Sequence, residues 1–218
     1  MPSRPDPAAA AKKQSRREHE PRLDLPGDRR AAHGWSGSLH TRTLHIVTWT
    51  VPTPEPLADN PVTGEDRPIL EGMLAWQRHT LWSICAGLTA DQLAARALPP
   101  SNLSLLGLVR HLTKVERIWL RERFACEAVD PLHGFGTGRD LDFDDLDPAR
   151  AAADLAAFAD ECRAGDAAVA ALTFDHPVEF RGQTWSLRFV YVHLVSEYAR
   201  HNGHADLLRE RIDGVTGR

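Results

Sequence analysis

The chain has 218 residues and a mass of 24.2 kDa; it is 42% hydrophobic and 26% charged, with a formal net charge of -4. These values fit one globular domain with a full core, with or without a tail, and give no electrostatic footprint for nucleic acid. No apolar run approaches the roughly 20 residues that a membrane-spanning helix requires.

The charge is uneven. Residues 1–45 hold nine Lys/Arg and five Asp/Glu, a balance of +4, and the remaining residues hold 17 and 25, a balance of -8. Only three lysines occur beside 23 arginines, a bias expected of a GC-rich coding sequence. Cys85, Cys126 and Cys162 are scattered and form no CxxC pair, so neither a disulfide framework nor a thiolate zinc site is expected. Free, buried thiols in a reducing compartment are the simplest reading. With no signal-like opening, the expected location is the cytoplasm.

Residues 1–50 are rich in Pro, Ala and Arg and poor in large apolar groups. They cannot bury enough apolar surface to offset the entropy of ordering, so this extension is expected to be disordered, or to arise from an early start codon. "LHIVTWTVP" reads as a short strand or as a linker. After Pro68, "ILEGMLAWQRHTLWSICAGL" repeats apolar residues at three- and four-residue steps and predicts a first long helix. "TADQLAARALPP" predicts a short helical turn stopped by two prolines.

Ser101 or Ser104 caps the next long helix, "LSLLGLVRHLTKVERIWLRERFAC", whose apolar stripe has His111 beside it. Glu116, Arg117 and Arg121 read as a solvated face. "DPLHGFGTGRDLDFDDLDP" reads as a loop, and Asp147 before Pro148 signals the start of a third long helix. "FDHPVEFRGQTWS" reads as a small hairpin. The last helix runs from near Trp185 to about Ile212 and stops at Gly214. Four long amphipathic helices with almost no strand predict an all-α fold, a four-helix bundle.

The last helix carries the chemistry. With His193 set at 0°, Glu197 lies at about 40°, His201 at about 80° and His204 at about 20° around the axis. Four lone-pair groups in one quarter of a bundle helix need partners, because a buried imidazole or carboxylate without one loses several kcal/mol of solvation. A divalent metal ion held by His111, Glu197 and His201, with an open position for substrate, would satisfy them. Zinc, nickel and iron suit this donor set alike. A plain hydrogen-bond network is the competing reading. Tyr198 either orients a ligand or packs, Trp119 and Trp185 are core or pocket walls, and Gly203 suggests close approach of another helix or subunit.

"SLLGLVRHLTKVERIWLRE" and "HLVSEYARHNGHADLLRERIDGVTG" together resemble the DinB-like family of four-helix bundles, closest to its branch labelled mini-circle protein. The resemblance covers about residues 60–217 and leaves the first 50 outside. It implies one metal-ligating histidine on the second long helix, at His111, and a pair spaced by four on the last, at Glu197 and His201. Glu197 departs from the three-histidine form and resembles the His, Glu, His set of mycothiol-dependent maleylpyruvate isomerases. His204 stands where the family usually has Gln, which implies a supporting role beside the ligands, shared with His193 and Tyr198. The resemblance further implies a metal-dependent S-transferase or isomerase-like enzyme. It would join a small-molecule thiol, with mycothiol expected for this coding bias, to a small electrophile. The alternative it leaves is a non-catalytic metal-binding or stress-response bundle. Neither nucleic acid nor membrane is expected as a partner, and a homodimer is compatible with every reading.

Overall fold

The structure, a computed structural model, describes residues 48–134 and 136–216. Nearly all of the N-terminal extension expected to be disordered therefore lies outside the described residues. Among the described residues six α-helices run in chain order: α1 (Asp66–Cys85), α2 (Ala90–Ala94), α3 (Leu105–Glu116), α4 (Leu141–Asp144), α5 (Ala151–Val169) and α6 (Leu187–Asp213). A two-stranded hairpin, β1 (Pro177–Phe180) and β2 (Gln183–Ser186), separates α5 from α6. The long helices α1, α3, α5 and α6 form the expected all-α bundle.

Local sequence accounts for most boundaries. Ser104, not Ser101, caps α3, its Oγ accepting from the Gly107 amide at 3.1 Å. Thr89 and Gln92 make a reciprocal capping box on α2. Ser186 caps α6, and Gly214 ends it in the left-handed conformation (φ 79°) that a side chain would resist. Near the start of the described chain, Val51 is buried in the core and Thr50 bridges Thr89, so the described part of the stretch read as strand or linker, from residue 48, pairs through a single bridge.

Two features depart from expectation. The helix begun by α3 does not stay α-helical, because Arg117–Phe124 winds as a π-helix; the Ala125 amide bonds back to the Leu120 carbonyl at 3.0 Å. The acidic loop after it also contains the short helix α4, whose Phe143 enters the core. Phe143 fits there because position 107 is glycine. A Cβ on Gly107 would come within 2.5 Å of the Phe143 ring.

The core is built from apolar stripes of all four long helices, including Leu74 and Leu81 of α1, Leu108 and Leu112 of α3, Phe158 of α5 and Leu194 of α6. Polar ties fix the helices relative to one another. The expected solvated face is corrected here. Glu116 is fully buried and receives two hydrogen bonds from Arg78, both at 2.7 Å, and one from the Tyr198 hydroxyl at 2.8 Å. Arg117 and Arg121 both pair with the buried Glu161 of α5. Charged residues look solvated in a sequence when their partners lie on other helices. α1 and α6 run in parallel, since Asp66 meets Arg188, Gln77 meets Asn202 and Ile84 meets Arg209.

Candidate metal centre

α3 and α6 bring His111, Glu197 and His201 together. One ligand atom from each lies within 4.8 Å of the others, and all three residues are partly buried. Nε2 of His201 lies 3.2 Å from Oε1 of Glu197, and Nε2 of His111 lies 3.5 Å from the same oxygen. The helical register explains the first contact, as residues four apart sit one above the other. Packing of α3 on α6 supplies the second.

The protonation of His111 is set from outside the trio. Its Nδ1 lies 2.8 Å from Oδ2 of Asp142, a buried residue of α4. A carboxylate only accepts, so Nδ1 carries the proton and donates it. In the neutral ring the Nε2 lone pair then points at Glu197. Asp142 is itself held by Lys114, 2.5 Å away, one turn after His111 on α3. Behind His201, its Nδ1 lies 3.4 Å from Nδ1 of His204. If Nε2 of His201 keeps its lone pair, Nδ1 donates to His204.

Without an ion, the electrostatics favour ionised carboxyls and a protonated, doubly donating His111. Hydrogen bonds from His111 and then from His201 hold the Glu197 carboxyl well below the usual carboxylate range. Burial alone would raise Asp142, but hydrogen bonds from His111 and Lys114 outweigh it and hold that carboxyl low as well. Burial would lower His111, and its bonds to Asp142 and Glu197 reverse the direction and raise it. His204 is lowered, mainly by burial, and then by His201 and Arg200.

The donor set fits a divalent cation. Tetrahedral bonds of about 2.0–2.2 Å put neighbouring donors roughly 3.4 Å apart, so the trio closes on an ion with shifts of an ångström or so. The imidazole–carboxylate arrangement behind His111 is the one that orients a metal-binding histidine.

The three residues expected in support divide. His204 touches His201. His193 instead packs edge-on against Trp119, its ring centroid 5.0 Å away, and burial lowers its pKa. Trp119 and Trp185 stack at 4.9 Å, so the hairpin that carries Trp185 is anchored beside this face of α6. Of the two readings for Tyr198, packing is the one its surroundings match. It is fully buried, and its hydroxyl bonds to Glu116, because one residue after Glu197 the helix has turned by about 100° toward the core. Sequence reasoning missed Asp142 and Lys114. The signal available for Asp142 was an apolar–acidic alternation, "LDFDDLDP", inside a segment otherwise read as loop.

The thiols are not part of this centre. Cys85 is buried, and burial pushes its thiol up to about 12. Cys162 is held high by burial too. Cys126 is exposed, which corrects its expected burial. No helix among the described residues is long and apolar enough to cross a membrane.

The chain matches none of the curated proteins and none of the solved structures with which it was compared. The family described as MST, Mycothiol-S-transferase, matches residues 69–214, from the first turn of α1 to the glycine that ends α6. With two thirds of its length matched, including His111, Glu197 and His201, the chain belongs to the mycothiol S-transferase family.

Proposed function

We propose that the protein is a metal-dependent thiol S-transferase that joins mycothiol to a small electrophile, with His111, Glu197 and His201 holding the ion. The observation that carries this reading is the convergence of two Nε2 atoms on one carboxylate oxygen, with Asp142 fixing the His111 tautomer. A neutral His111 facing an ionised Glu197 sets lone pair against lone pair, which a cation between them relieves. A bound divalent ion supplies a lowered thiol pKa, so that thiolate forms at neutral pH.

The chain's own residues supply the rest. His111 and His201 donate neutral nitrogen, Glu197 donates one negative charge, and Asp142 and Lys114 keep His111 in the donating tautomer. The thiolate sulfur forms the new bond to carbon of the electrophile. The displaced group leaves with its electron pair, and the thiol proton goes to solvent. No cysteine of the chain is required.

One observation favours a second reading. His111 lies between two carboxylates and its pKa is raised, so a doubly donating imidazolium would also satisfy the trio without any ion. Elemental analysis of protein purified without an affinity tag separates the two. About one zinc, nickel or iron per chain, lost together with mycothiol transfer in His201→Ala, is the expected result. Metal-free protein whose melting temperature ignores both chelator and added metal would leave the imidazolium reading. Full metal occupancy with no turnover across a panel of electrophiles would leave a non-catalytic metal-binding bundle.

A further inference from the structure

The side of α6 turned away from the core carries Phe189, Val192, Ser196, Ala199, Gly203 and Leu207, all exposed. Steps of three and four residues keep them on one stripe, centred about 120° around the helix from the Glu197 side. No charged residue interrupts the stripe. Glycine inside a helix costs about 1 kcal/mol against alanine, yet a Cβ at Gly203 would meet nothing among the described residues. Close approach of another helix of the same chain, one of the two expectations for Gly203, is therefore ruled out among the described residues.

Laid antiparallel on a copy of itself, the stripe is self-complementary. Phe189 falls opposite Leu207, Val192 opposite Gly203 and Ser196 opposite Ala199. The bulkier residues pair at the ends, valine meets the glycine, and the small residues in the middle let two backbones approach. Two-fold symmetry demands this kind of patch, one that matches its own rotated copy.

α1 widens the face. Met73 and Trp76 are exposed on it, and Trp76 shares a groove of about 590 Å³ with Ala199 and Gly203. Phe189, Val192, Leu207, Met73 and Trp76 each leave about half their surface in water. Together they expose on the order of 400–500 Å² of apolar surface, near the upper end for the largest patch on a monomer. With the small residues and groove walls between them, the face approaches the roughly 800 Å² per partner of a stable interface.

We infer that this face is the interface of a two-fold homodimer in which α6 packs antiparallel on α6 of a second copy across Ser196, Ala199 and Gly203. The inference stands apart from the metal reading, because the stripe shares no residue with the metal centre.

The test is sedimentation of the full chain at micromolar concentration, beside Val192→Glu and Leu207→Glu. The wild type is expected at twice the 24.2 kDa chain mass. Each variant is expected at the single-chain mass, with unchanged helical circular dichroism and metal content. A second measurement does not depend on how those variants fold. Val192→Cys with Gly203→Cys, in a Cys126→Ser background, places two thiols roughly 16 Å apart along one helix. That is beyond the reach of a disulfide, so any disulfide between them joins two chains. Mild oxidation is expected to give a covalent dimer that reductant reverses. A wild type at single-chain mass, both glutamate variants still at twice that mass, or no covalent dimer on oxidation would each overturn the inference.

Discussion

Asp142 lies 31 residues after His111 in the chain, yet its carboxylate accepts the His111 Nδ1 proton at 2.8 Å. A side chain from a four-residue helix in an acidic loop thus decides which lone pair an α3 histidine offers to α6. Asp142→Asn keeps the size but lets either nitrogen of His111 carry the proton. Metal affinity is expected to fall about 10–100-fold, the usual cost of losing such a partner, with helical content retained. Competition against a chromophoric chelator measures it, and an unchanged affinity would remove Asp142 from the site.

The same relationship predicts how pH acts. In metal-free protein His111 is raised above its ordinary value of about 6.5. Its contribution to stability is therefore fully present below that value and is lost as pH rises through the raised folded value. Saturating metal needs the neutral ring and opposes this trend, since protons and metal compete for His111. Glu197 and Asp142 act in the other direction: their contribution is present above about pH 4 and is lost as pH falls toward their depressed folded values. Melting curves from pH 4 to 8, with chelator and with metal, should show metal stabilisation that grows with pH.

Gly107 lies about one turn before His111 on α3, and its missing Cβ makes room for the Phe143 ring, which stands 5.6 Å from that of His111. Gly107→Ala is expected to push Phe143, and with it the neighbouring Asp142. Overpacking of this kind costs about 1–3 kcal/mol. Urea unfolding checks the stability loss, and chelator competition checks a matching drop in metal affinity. Stability lost without affinity would confine Phe143 to a packing role.

Glu116 is the buried anchor between α1, α3 and α6. Glu116→Gln removes the buried one of the two carboxylates that pair with the Arg78 guanidinium and leaves Asp166, so the cost is expected toward the lower end of the about 3–5 kcal/mol lost when a buried pair is broken. Tyr198→Phe removes one hydrogen bond to the same carboxylate and should cost less, about 1–2 kcal/mol. Denaturant titration of both variants ranks them, and equal losses would contradict the assigned roles.

The sequence by itself determined the four long helices, the Gly214 stop and the stripe of Glu197, His201 and His204, and narrowed the α3 cap to two serines, because helical periodicity and capping chemistry act within one segment. The trio of His111, Glu197 and His201 was legible as residue types, since a mid-helix histidine beside an apolar face asks for a partner. Only the tertiary structure decided which loop residue stands behind His111, that Glu116 is buried, and that Tyr198 serves Glu116 instead of its neighbour Glu197. Periodicity says which face a residue occupies, but the identity of the group across from it depends on how separate helices and loops pack. At Asp142 that packing joins an acidic loop to His111 of α3.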